Sequence, residues 1–113
     1  MKLLATGTAL LLLSPISYAG SGEGKVEIEH VGFGPLVYFY VTTHADKPAC
    51  NNYRARWAID TSTPAGKEQY AFVLAAELTG KPIRVWGSGD CGSTGNSEIV
   101  TAVGSMIDYA NHP

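Results

Sequence analysis

The segment Lys25-Val26-Glu27-Ile28-Glu29-His30-Val31 alternates polar and apolar side chains. A period of two gives one wet face and one buried face, so it predicts a strand. Ahead of it, Gly20–Gly24 is rich in Gly and Ser and reads as a loose lead-in. Gly32, Gly34 and Pro35 then mark a turn. Leu36 to Thr43 follows as a second strand, rich in β-branched and aromatic residues, and the two pair as an antiparallel hairpin. After a polar loop from His44 to Asn52, Tyr53, Ala55, Trp57 and Ile59 alternate with Arg54, Arg56, Ala58 and Asp60. This predicts a third strand with its aromatic set inward and its arginines outward.

The period then changes. Thr63 is a good N-cap, and Pro64 stands at the first helical position, where its missing N–H has no partner to lose. Tyr70, Val73, Leu74 and Leu78 recur at helical spacing, and Ala71, Ala75 and Ala76 add helix propensity. Gly80 ends the helix in a left-handed conformation and Pro82 blocks continuation. Ile83 to Trp86 is a short fourth strand, Gly87–Asn96 a glycine-rich loop, and Ser97–Ile107 a fifth strand, before a frayed tail at 108–113. The order β-β-β-α-β-β makes the chain mainly β with one helix. It matches an OB-fold-like five-stranded barrel whose helix plugs one end; a plain α+β sandwich fits the same order.

The first 19 residues change the picture of where this domain works. Lys2, an apolar run containing Leu10–Leu13, the break at Pro15 and the small residues Ser17 and Ala19 have the arrangement of a secretory signal cut before Gly20. As a membrane anchor the run is short of the ~20 apolar residues that span a bilayer. Removing 19 of 113 residues leaves 94, a single domain over residues 20–113. Without Lys2, seven Lys and Arg stand against ten Asp and Glu, a formal charge of −3. That excludes the basic face of a nucleic-acid binder. Two cysteines in an exported chain, Cys50 and Cys91, favour a disulfide over free thiols or a metal site. Closing so long a loop is worth roughly 4 kcal/mol. His30, His44 and His112 show no metal-ligand spacing, and no cofactor motif is present.

Candidate catalytic motifs weaken on inspection. Gly87-Ser88-Gly89-Asp90-Cys91-Gly92 fits G-x-G-x-x-G, but a strand follows it instead of a helix, so it reads as a turn around a bridged cysteine. Gly80-Lys81 lacks a glycine-rich loop ahead of it. No G-x-S-x-G elbow exists. His30 and His44 stand alone. Asp60 and Glu98 could form a carboxylate pair, although Asp60 better suits capping the turn into the helix. No catalytic residue is assigned. A contact face is easier to place. With Phe39 buried, Tyr38 and Tyr40 form an exposed pair, Trp86 points outward, and Arg54, Arg56 and Arg84 join them as a candidate binding face. Each of the six also fits an ordinary solvated or subunit-covered strand position.

The stretch Trp57-Ala58-Ile59-Asp60-Thr61-Ser62-Thr63-Pro64-Ala65-Gly66-Lys67, the alanine-rich helix, Thr79-Gly80-Lys81-Pro82-Ile83-Arg84-Val85 and Cys91 resemble a set of small exported bacterial proteins. More distantly, the helix, Gly-Lys-Pro turn and strand resemble the receptor-binding B subunits of subtilase-cytotoxin and pertussis-like AB5 toxins. That second resemblance implies an OB-fold, a disulfide, a pentamer and binding of cell-surface glycans. It carries over no contact residue, because the family's sialic-acid-binding serine has no counterpart in Val26–Val31. The expectation is a secreted or periplasmic, non-enzymatic binding module for a glycan or protein. A small exported enzyme, built on His30 or His44, or an inhibitor presenting residues 87–96, is the alternative, and a structural envelope component a third.

Overall fold

The computed structural model describes residues 19–107 and Asn111. The leader and tail readings, with His112, lie outside the described residues. The chain folds as β1 (Ser21–Gly24), β2 (Glu27–Phe33), β3 (Leu36–Tyr40), β4 (Thr43–Ala45), β5 (Trp57–Asp60), α1 (Pro64–Thr79), β6 (Ile83–Gly87) and β7 (Glu98–Ser105), with a 3₁₀ turn at Gly92–Thr94. It is mainly β with one helix. The seven strands form one mixed sheet in the order β2-β3-β5-β7-β6-β1-β4, curled into a half-barrel. All neighbours are antiparallel except β5 and β7, which run parallel on opposite sides of the helical crossover.

Three elements depart from expectation. Residues 21–24 are no loose lead-in but a strand between β6 and β4. Gly22 permits this, because a Cβ there would meet the Thr43 carbonyl at 2.4 Å and Trp57 at 3.1 Å. The second predicted strand divides at Val41 and Thr42. Its first half pairs with β2 and β5, while its continuation β4 crosses to the opposite sheet edge and pairs with β1. His44 thus belongs to a strand instead of a loop. The third strand is shorter than its alternation implied, since Arg54 takes a left-handed φ of 56° and Tyr53–Arg56 form a loop. Tyr53 is consequently 40% exposed, while Trp57, Ala58 and Ile59 have no exposed surface.

The helix forms where its caps place it. The Thr63 hydroxyl accepts from Gly66 N–H at 2.9 Å, and Gly80 takes φ 70° and donates to the carbonyls of Ala76 and Glu77. Gly66 lies so close to the end of β5 that a Cβ would stand 1.8 Å from the Asp60 carbonyl oxygen. The buried line is therefore Gly66, Val73 and Ala76, with Tyr70 partly covered, and Leu78 projects into solvent at 76% exposure instead of joining the stripe. Glu77 ties the helix to the sheet by accepting from Ile28 N–H at 2.7 Å. In the core that Val73 of the helix joins, Phe39, Trp57, Ile59, Ile83 and Val85 are almost wholly buried. Each such side chain contributes about 1.5–3 kcal/mol of burial energy.

Cys50 and Cys91 form the expected disulfide, with Cα atoms 6.1 Å apart. It joins the loop before β5 to the loop after β6. No helix among the described residues is long and apolar enough to cross a membrane. The bridge is consistent with an extracellular or periplasmic setting.

Candidate functional site

The most highly organised polar group of the molecule lies where β7 begins. Glu98 stands opposite Trp57 in the parallel pair, and its side chain has no exposed surface. One carboxylate oxygen, Oε2, accepts from the backbone N–H groups of Gly20 at 2.8 Å and Gly89 at 2.9 Å. The other, Oε1, lies 2.7 Å from His44 Nε2. The Glu98 backbone N–H is in turn held by the Asn51 side-chain oxygen.

Glycines make room for that carboxylate. A Cβ on Gly87 would stand 1.9 Å from Oε2, and one on Gly20 would stand 2.5 Å from Oε1. The G-x-G-x-x-G loop is thus a cradle, but for the chain's own carboxylate and not for a phosphate. Ser88 N–H to the Ile99 carbonyl and Ile99 N–H to the Asp90 carbonyl fasten the loop on either side.

His44 completes the cluster. Its Nδ1 lies 3.1 Å from the Ala55 carbonyl, which can only accept, so Nδ1 carries a hydrogen. Its Nε2 faces a carboxylate oxygen, so a second proton lies between those two atoms. The pair is either imidazolium with carboxylate or imidazole with carboxylic acid, and is neutral in sum either way. The ring also stacks on Trp57, with centroids 3.6 Å apart and planes within 10°. An indole face favours a cation above it. The Trp57 indole N–H is buried without an acceptor among the described residues.

A histidine–carboxylate pair is the usual apparatus of general-base catalysis. Here neither side chain has any exposed surface, and both ring nitrogens and both carboxylate oxygens are engaged by the protein. A substrate has no atom to touch. The pair is structural, which removes His44 from the catalytic alternative; the His30 side chain lies outside the described ones. Asp60 sits at the other end of β5, where it accepts from the Ser62 backbone and hydroxyl at 2.9 and 2.6 Å. Those bonds hold its carboxyl below the ordinary carboxylate value, and the residue caps the turn as its position implied.

The candidate binding face separates into two groups. In the first, the Arg56 guanidinium lies between the rings of Tyr38 and Tyr53, 4.0 and 4.1 Å from their centroids. It donates to Ser97 Oγ at 2.8 Å, Glu29 at 3.1 Å and Asn96 Oδ1 at 3.0 Å. Tyr38 is therefore buried under an arginine instead of exposed, at 8%. Tyr40 is half-buried, and its hydroxyl donates to Glu29 at 3.3 Å. Burial, then the Glu29 charge, push its phenol above the ordinary value. Arg54 is exposed, its carbonyl held by Asn51 Nδ2 at 3.0 Å.

In the second group, Arg84 reaches Glu23 at 3.4 Å, and Trp86 is 44% exposed beside Gly104. β5 and β7 lie between the two groups in the sheet. Sequence reasoning missed the partners Glu29, Tyr53, Asn96 and Ser97 and the whole His44–Glu98 cluster. One signal existed: Glu98 shares the inward register of Val100, an anomalous place for a charge in a strand.

An apolar groove of about 480 Å³ runs between the end of α1 and the ends of β6 and β7, lined by Phe72, Ala76, Thr79, Pro82, Ile83 and Met106 among others. No protein-family model, curated protein or solved structure matches the chain.

Proposed function

We propose that the mature chain is an exported, non-enzymatic binding module that recognises a glycan or protein outside the cell. One observation carries this reading: the histidine–carboxylate pair is sealed, while Tyr53, Trp86 and other large apolar side chains remain at the surface. The Arg56 group is the favoured contact point. Its guanidinium is immobilised by two rings and three hydrogen bonds, so Tyr53 offers an ordered ring beside the fixed polar edges of Glu29 and Asn96. An aromatic face flanked by preset hydrogen-bonding groups suits sugars and polar protein surfaces, because little side-chain entropy remains to be lost on binding.

The half-barrel and its helix are compatible with an OB-type scaffold, and the toxin-B-subunit version of the reading adds assembly into a ring of five. Native mass spectrometry of the mature protein together with a glycan array tests both parts. Glycan binding that disappears in Tyr53→Ala supports the module. A strict monomer without glycan binding removes the toxin-like version, and hydrolytic activity that survives purification would overturn the non-enzymatic reading.

A further inference from the structure

One of the two backbone nitrogens that donate to the sealed carboxylate belongs to Gly20, the first residue after the signal cut read from the sequence. The conjunction has a chemical consequence. In the uncut chain Gly20 N is an amide 2.8 Å from Glu98 Oε2. Hydrolysis of the Ala19–Gly20 bond delivers the hydroxyl of water to the Ala19 carbonyl carbon and a proton to the Gly20 nitrogen. A further proton from solvent makes that nitrogen an ammonium.

We infer that signal removal creates a charged N-terminus that seats on Glu98, an ion pair that exists only in the processed protein. This rests on the export reading.

The nitrogen is positioned by the sheet and not by the leader. Gly20 is buried and Ala19 exposed, so the chain leaves the sealed cluster between these two residues. On the other side of the residue, the Gly20 carbonyl accepts from Gly87 N–H at 2.8 Å, and β1 pairs with β6 and β4 immediately afterwards. Losing Ala19 leaves these contacts intact and opens the nitrogen to water on one side. The residue must also be small, since any Cβ at position 20 would meet Glu98, the Ala45 carbonyl and His44 within 3.0 Å. Cleavage one residue earlier or later would put the ammonium elsewhere.

Before the cut, the His44 ring nitrogen faces Oε1 of Glu98. Afterwards an ammonium stands at Oε2 beside the Gly89 N–H, and an amide-to-carboxylate hydrogen bond becomes an ammonium–carboxylate ion pair. The fold is thereby biased toward the processed chain.

N-terminal sequencing of the exported protein comes first, and the expected residue is Gly20. Two chains are then compared, one starting at Gly20 and one at Ala19, each with Glu98 or Glu98→Gln. The Gly20 chain should melt about 5 °C higher than the Ala19 chain, and Glu98→Gln should abolish the difference. Because that variant could fail to fold, the α-amine is also acylated in the folded wild-type chains. The Gly20 amine should react about tenfold more slowly than the Ala19 amine, the protection expected of one charge-assisted hydrogen bond. A different natural N-terminus overturns the inference through the export reading. Equal melting temperatures or equal acylation rates, with Gly20 as the natural start, overturn the ion pair itself.

Discussion

Glu98 with His44 and Glu29 with Arg56 both join a glutamate carboxyl group to a nitrogen base, 2.7 and 3.1 Å apart. Their surroundings differ more than their distances. The first pair has no exposed side-chain surface, whereas the second is 12% exposed at the arginine and 35% at the glutamate. Water can take the place of either partner in the second pair and of neither in the first. The buried pair is therefore a condition of folding, and the outer pair a means of fixing a surface. Similar geometry performs two different tasks because solvent is admitted to one of them.

Substitutions sharpen the contrast. Glu98→Ala leaves His44 and two glycine N–H groups facing a void, and should destabilise the fold by about 3–5 kcal/mol. Urea unfolding measures this, and a loss below about 1 kcal/mol would mean the cluster is not sealed. Replacing Cys50 and Cys91 by serine should cost up to roughly 4 kcal/mol by loop closure across a separation of 41 residues. At the outer pair, a double-mutant cycle between Arg56→Ala and Glu29→Ala should give a coupling of about 0–1 kcal/mol that shrinks with added salt. A coupling as large as that between His44 and Glu98 would erase the distinction.

The smallest effect is a titration. The Asp60 carboxyl is depressed by its bonds from Ser62. Its stabilisation is present above the unfolded aspartate value and is lost as pH falls through the lower folded value. Ser62→Ala should raise the Asp60 value measured by NMR without altering the sealed cluster.

Much of the fold was legible because local chemistry determines it. Thr63, Pro64 and Gly80 bound the helix by capping and proline rules that need no tertiary knowledge. The β2–β3 hairpin follows from alternation around a glycine–proline turn. The split at Val41–Thr42 and the N-terminal strand were not legible, since both depend on partners far along the chain: Glu23 pairs with Thr43 and with Arg84. The His44–Glu98 contact spans 54 residues, and local periodicity carries no information on it. Gly20 and Gly87 read as punctuation because their purpose is space for a side chain that sequence order does not place beside them. On the candidate face, Tyr38 was misjudged for a related reason. Alternation gives a side chain's direction, and it cannot show that Arg56 from another segment lies on top of it.

The sealed state of the His44–Glu98 pair can be measured by hydrogen exchange of the His44 ring protons, followed by nitrogen-edited NMR of the mature protein. A buried pair predicts a ring N–H signal at Nδ1 and a proton between Nε2 and Glu98, both exchanging far more slowly than in an exposed histidine. Ring protons exchanging at the rate of a solvent-exposed imidazole would show that water reaches the pair, and would return His44 and Glu98 to the list of candidate catalytic groups.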